Sequence, residues 1–320
     1  MSTSPEAARL APDFVQWLRC PLTGDRLQLR DGFLVTQDGS RSYRVSPAGI
    51  PLFAEQVCSP EGQEQQRHYD KVSRDYLTNL GYPHTIEYMK YLDAVLLQEC
   101  GDQSLGTVAE ICCGHGEALH LLADRIEVGI GLDVSLQMLN AARATLSSDH
   151  MHFIQGDATA TPLPDALFDN VVMFGGIHHV SDRSRLFSEV FRLLKPGGRF
   201  VWREPVSDFF LWRWLRAIIY YLSPNLDHTN ERPLLYQETV PPLEKAGFRL
   251  QSWRTCGLFG FCFFMNSDVL VFNRLFRFIP GIRRMTRISA QLDEGLVRFP
   301  GLRRAGLQVV GIAVKPHRAA

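Results

Sequence analysis

Glu110-Ile111-Cys112-Cys113-Gly114-His115-Gly116-Glu117 follows an apolar run that opens at Thr107 and precedes a helical pattern. A strand that leads through two closely spaced glycines into a helix predicts a tight bend. Its backbone can be approached by a ligand without a Cβ in the way. Working outward, apolar runs at 107–112, 128–132, 152–155, 170–174 and 199–203 alternate with helical stretches at 117–125, 136–146 and 183–194. That alternation predicts an α/β fold with a parallel, doubly wound sheet and helices on both faces. The runs are almost continuously apolar, as strands covered on both sides must be.

The remaining composition bounds what such a chain can be. With 320 residues it is long enough for two domains, and 45% hydrophobic against 21% charged residues describes a globular protein with a sizeable core. Lys plus Arg equals Asp plus Glu at 34, so the global basic excess of a nucleic-acid binder is missing. No apolar stretch is long enough for a spanning helix. Residues 1–10 lack the basic start and apolar run of a signal peptide. Seven scattered cysteines point to free thiols and a cytoplasmic setting.

In a doubly wound sheet the ligand sits beyond the carboxyl ends of the strands. Gly114 and Gly116 lie at the first such end. Asp133 closes the second strand, 23 residues after Glu110, where a carboxylate can accept from both hydroxyls of a ribose. It can equally cap the helix that opens near Leu136. Asp157, in Gln155-Gly156-Asp157-Ala158, closes the third strand and can meet an adenine amino group or form an Asx turn. A dinucleotide fingerprint requires a further glycine three places after Gly116, and position 119 is Leu. This separates the chain from the dehydrogenases.

Taken together, these motifs resemble the class I S-adenosylmethionine-dependent methyltransferases, in particular the small-molecule group that includes ubiquinone and menaquinone biosynthesis enzymes. The resemblance covers residues 68–204 and implies a Rossmann-like methyltransferase fold of seven mostly parallel strands, with S-adenosyl-L-methionine as cofactor. It implies Glu110, Gly114 and Gly116 around the methionine part, Asp133 on the ribose, and Asp157 with Ala158 at the adenine. Tyr69, in His68-Tyr69-Asp70 with Tyr76 downstream, is implied to cover the cofactor, and Val134, Met138 and Phe174 to line it. Cys112 departs from the pattern, which has glycine there, and a slightly displaced cofactor is expected.

For the acceptor, the fourth strand lacks the Asn-Pro-Pro-Tyr-like element of enzymes that methylate DNA bases or amide nitrogens. A hydrophobic or aromatic small molecule, methylated at oxygen or carbon, fits better. His178, His179 and Glu204 are the candidate catalytic residues, each with a bland alternative in capping, packing or a backbone hydrogen bond. Residues 249–255 and 307–314 read as the last two strands, an antiparallel pair in such folds. Between them lies an apolar insertion carrying Phe259, Phe261, Phe263, Phe264, Met265, Val269, Leu270, Phe272 and Phe276. A second aromatic segment holds Trp212, Trp214, Tyr220 and Tyr221. Segments 205–245 and 256–306 can form a lid over a greasy acceptor, or pack as core, or pair in a homodimer.

Between 274 and 304 eight arginines face Asp293 and Glu294, which suits an anionic headgroup, peripheral membrane contact or a solvated face. The segment around Asp227, His228 and Glu231 reads as a gate loop. Residues 1–54, rich in turns around short apolar runs, are similar to the zinc-ribbon-like module ahead of many bacterial methyltransferases. The metal positions hold Cys20, Thr23, Thr36 and Gly39, so no structural zinc is expected. Residues 55–106 are expected to be linker and helices over the cofactor, and 107–320 the methyltransferase domain. Rival readings are an RNA or protein methyltransferase that docks through the module, and a cofactor-binding protein that transfers no methyl group.

Overall fold

Turn-forming pairs such as Asp31-Gly32 and Asp38-Gly39 cut the N-terminal segment into short strands. β1 (Leu27–Arg30), β2 (Phe33–Thr36) and β3 (Ser42–Arg44) form a three-stranded antiparallel sheet behind a short helix, α1 (Pro12–Val15). The computed structural model describes residues 10–146, 148–214, 232–265 and 271–317. The expectations for Tyr220, Tyr221, Asp227, His228, Glu231, Val269 and Leu270 lie outside these residues.

The small sheet shares its core with the larger one. Leu18, Leu34, Tyr43 and Phe53 cluster with Ile111, Ile130 and Ile154, and Phe14 stacks on His152 with ring centroids 4.2 Å apart. Cys20 contributes its thiol to a 3.1 Å contact with the Tyr43 hydroxyl. Ser59 then caps α2 (Pro60–Leu80) by accepting from the Gly62 N–H. The polar stretch that reads as linker or helix start is therefore a helix start, followed by α3 (Pro83–Cys100).

β4 (Gly106–Ile111), β5 (Ile126–Asp133), β6 (Met151–Gln155), β7 (Phe168–Phe174) and β8 (Leu194–Pro205) are parallel. Between them run α4 (Glu117–Leu121), α5 (Leu136–Thr145) and α6 (Arg183–Leu193). α4 is shorter than its sequence pattern, because the chain tightens into a 3₁₀ turn at Ala123–Arg125. After α7 (Tyr236–Lys245), β9 (Arg249–Cys256) becomes the far edge, and β10 (Gln308–Val314) lies antiparallel between β8 and β9. The seven strands stand in the order β6-β5-β4-β7-β8-β10-β9. Alternate side chains of β4 enter different cores, Ala109 and Ile111 on one face and Val108 on the other.

The apolar insertion forms α8 (Phe259–Met265), a 3₁₀ segment (Val271–Phe278) and α9 (Ile282–Val297). Buried Asp293 organises it by accepting from Tyr88 Oη at 2.6 Å and from the backbone N–H of Leu258, Gly260 and Phe261 at the start of α8. Trp212 is buried with Leu258, Val297 and Ala305, so it joins the two aromatic segments as core; Trp214 is exposed.

Gly311 of β10 faces Trp202 of β8 across the antiparallel register, and a Cβ there would lie 2.0 Å from the fully buried indole. Gly311→Ala should therefore lower stability by about 1–3 kcal/mol through overpacking. Thermal unfolding of the two proteins checks this, and an unchanged Tm would mean that the sheet relaxes freely at this point.

Candidate active site

The bend after β4 is held by carboxylates and backbone amides. Cys112 has φ of 54°, Gly114 52° and Gly116 80°, three left-handed residues within five. Cys112 thus keeps the backbone that glycine would adopt freely, and its Cβ lies 2.6 Å from where one at Gly176 would stand. Glu110 is fully buried and accepts from the N–H groups of Ala118 and Leu119 at 2.9 and 3.0 Å, anchoring the first turn of α4. Burial raises its carboxyl to about 8 despite those two donors. Gly116 caps α4, and a Cβ there would strike Leu146 at 2.7 Å. Glu110 and Gly116 are expected around the methionine part; here the Glu110 carboxyl is taken up by α4 amides and Gly116 lies against Leu146, so both shape the bend.

Asp133 sits at the crevice and pins the bend from the other side. Its Oδ2 accepts from Gly114 N–H and its Oδ1 from Ser135 N–H, both at 2.8 Å. Burial pushes its carboxyl above the ordinary value, opposed by these amides. Ser135 caps α5 through Met138 N–H and donates its hydroxyl to Asp70 at 2.6 Å. Met138 is buried beside Gly114, its Cε 3.3 Å from where a Cβ would stand.

Asp133, Val134, Asp157, Ala158, Tyr69, His179 and Cys112 line one cavity of about 310 Å³ at the carboxyl ends of β4, β5 and β6. Ser59, Glu61, Gly62 and Gln65 from the start of α2 close it, together with Thr159 and Arg185. The sequence reading expects linker and helices over the cofactor in residues 55–106 without naming these side chains, although Ser59-Pro60-Glu61 carries the signature of a helix start. Asp157 fixes the wall in place, accepting from Ser59 N–H and from Thr159 N–H, each at 2.7 Å. The chamber is of ligand size, and it presents an acidic acceptor, a glycine-type bend and the unpartnered Nδ1 of buried His179. These features suit an adenosyl group.

Glu204 is fully buried at the end of β8. Its Oε1 accepts from Gly176 and Ile177 N–H at 2.7 Å each, and its Oε2 meets Nδ1 of His178 at 2.8 Å. Rather than facing the crevice, Glu204 lies beneath the loop after β7 as a positioning residue. The His178 and His179 rings lie 3.9 Å apart, and His179 Nε2 is 3.1 Å from Tyr69 Oη.

A second cavity of about 190 Å³ opens beside Phe174 and Gly175. Leu80, Met89, Leu92, Phe261 and Met265 give it an apolar wall, so α8 does line a chamber at the sheet's ligand end. Glu117 and Arg203 form its polar end. Arg203 pairs with Asp93 at 2.8 Å and with Glu117, and its guanidinium lies 4.4 Å from the centre of the Phe174 ring. Phe174 thus stands at this second chamber rather than lining the first.

Burial, reinforced by His178 and His68, holds the His179 imidazole well below its ordinary value. The unfolded chain takes up a proton near pH 6.5 that the folded one refuses, so this contribution to stability is present above that pH and lost as pH falls below it. Tm measured from pH 7.5 down to about 5 should fall less steeply in His179→Asn than in the parent protein. Parallel curves would show that the ring is charged in the folded state.

Comparison with known proteins agrees with this geometry. Residues 109–202 match the family model described as a methyltransferase domain. A demethylmenaquinone methyltransferase of Lactococcus lactis is 34% identical over 114 residues, covering 34% of this chain and 45% of that protein. One of Lactiplantibacillus plantarum is 28% identical over 165 residues, covering 44% of this chain and 70% of that protein. The chain therefore spans about half to two-thirds of the length of these curated relatives. Among solved structures, the [4+2]-cyclase SpnF has a TM-score of 0.57 at 19% identity, over 82% of this chain and 98% of that one, a likeness of fold. Residues 109–202 form a methyltransferase domain of the class I, S-adenosylmethionine-dependent type.

Proposed function

We propose that the protein transfers a methyl group from S-adenosylmethionine to a hydrophobic or aromatic small molecule, at oxygen or carbon. The chamber beside Phe174 and Gly175, which combines a Leu, Met and Phe wall with Asn79, Thr85, Gln308 and Arg203, carries this reading. It opens at the same end of the sheet as the chamber containing Asp133. Its Met, Leu and Phe wall suits an apolar ring or chain, and its Arg203 end suits a single polar substituent. The names of the demethylmenaquinone relatives support a quinone-like acceptor.

The cofactor supplies a methyl group already activated on a sulfonium. The residues therefore have mainly to align the acceptor and exclude water. Asp133 and the bend at 112–116 would hold the nucleoside, and Tyr69 with the start of α2 would cover it. An acceptor that must lose a proton needs a base, and His178 has the geometry for one. When its Nδ1 donates to Glu204, Nε2 is left as a lone pair able to take that proton, and the buried carboxylate steadies the resulting imidazolium. His178 Cε1 is 4.0 Å from where a Cβ of Gly175 would lie, and the ring itself lines a neighbouring cavity with His179, Glu61 and Gln65. The N-terminal module serves in this reading to brace the wall formed by the start of α2.

Incubation with S-adenosylmethionine and a panel of quinols, phenols and fatty acids, read by mass spectrometry, should give a singly methylated apolar product. Cofactor binding without methylation of any panel member would favour the non-methylating reading, since the fold is shared with a cyclase. His178→Ala should reduce kcat by about 10²-fold or more while cofactor affinity stays the same. An unchanged kcat would leave alignment as the whole mechanism. Asp133→Ala should weaken cofactor binding by roughly 1.5–3 kcal/mol in calorimetry, the value of hydrogen bonds to a charged acceptor.

A further inference from the structure

The insertion turns two different faces outward. Along the 3₁₀ segment, three residues per turn bring Phe272, Leu275 and Phe278 onto one side, and all three are exposed, Leu275 at 64% and Phe278 at 69%. Asn273 is buried on another side, and Arg274 and Arg277 take the third. On α9, Met285, Ile288 and Leu292, spaced three and four apart, form a second exposed apolar stripe. The buried face of the same helix is Ile282, Thr286, Ala290, Asp293 and Val297. An apolar stripe on the solvent side of a helix that already has a packed face calls for a further partner.

The charge beside the stripe identifies that partner. Arg283 and Arg284 immediately precede Met285, and with Arg303 they are exposed and have no acidic partner among the described residues. Arg287 and Arg298 are paired with Glu87 and Glu294. Exposed Phe and Leu next to unneutralised arginines complement an anionic bilayer surface, where rings and chains enter the acyl boundary and guanidinium groups meet phosphates. No described helix is long and apolar enough to cross a membrane, so the contact lies in the interfacial plane. The same insertion lines the acceptor chamber through Phe261 and Met265, while Phe259 and Phe263 of that helix are exposed.

We propose that the insertion is a membrane-docking element that seats on anionic lipid and places the acceptor chamber at the bilayer surface. This deepens the reading of an apolar acceptor and rests on it only for the purpose of docking. The binding itself is tested without turnover.

The full chain should co-float with vesicles of phosphatidylglycerol and phosphatidylcholine, and much less with phosphatidylcholine alone; added salt should weaken the binding. Leu275→Asp with Phe278→Asp should reduce vesicle binding by about tenfold or more. Arg283→Glu with Arg284→Glu should reduce it on the anionic vesicles. Both double variants should bind S-adenosylmethionine with unchanged affinity in calorimetry, which shows that they are folded. Absence of vesicle binding by the parent protein overturns the proposal. So does a lipid-free dimer in sedimentation velocity that Leu275→Asp with Phe278→Asp dissociates, because the face would then join two copies of the chain. Vesicle binding by a protein that methylates no apolar acceptor would keep the docking element and remove the proposed reaction.

Discussion

Buried carboxylates neutralised by backbone amides hold the ligand end of this sheet together. Glu110 at the end of β4 takes two N–H groups of α4, and Glu204 at the end of β8 takes two from the loop after β7. Asp133 and Asp157 do the same for the glycine bend and for the start of α2. A carboxylate out of water is costly unless its lone pairs are occupied, and loop amides away from a ladder are costly unless they find acceptors. Each problem solves the other. The loops are thereby fixed in place, among them the bend that contains the left-handed Gly114.

Polar fixation at the loops lets the chambers differ in character. One chamber sets Asp133 and Asp157 among Leu132, Val134 and Ala158; the other sets Arg203, fixed between Asp93 and Glu117, among Met, Leu and Phe side chains with Asn79, Thr85 and Gln308. Phe174 and Gly175 stand at the second chamber, and His179 at the first. Glu204 sets the orientation of His178 from below, so a change at this buried carboxylate would alter the placement of that ring.

The strand and helix alternation was legible because the sheet is covered on both faces, which leaves nearly uninterrupted apolar runs, and because helix periodicity marks α5 and α6. Residues 249–255 and 307–314 were legible as the last two strands, and their antiparallel pairing followed from the resemblance rather than from the runs themselves. The roles of Glu110 and Gly116 were not. A sequence places an acidic residue and a glycine beside a bend, but it does not say whether their partners are ligand atoms or the amides and methyl groups of a helix eight to thirty residues away. Helices over the crevice from residues 55–106 were expected, but not which side chains form the wall, because Ser59 meets Asp157 only through the tertiary fold. The two faces of the 3₁₀ segment were hidden by its period, which neither the helix nor the strand template tests.

Leu52 bridges Gln155 in parallel, and Phe53 and Ala54 donate their amides to the same residue, so the N-terminal module ends as a strap along the outer edge of β6. That edge would otherwise offer a row of open hydrogen-bonding groups to any passing strand. The strap is synthesised about a hundred residues before the strand it must cover. Loop closure over that distance is slow compared with local helix formation. The outer margin of β6 is thus closed by a contact between segments far apart in the chain rather than by a neighbouring element.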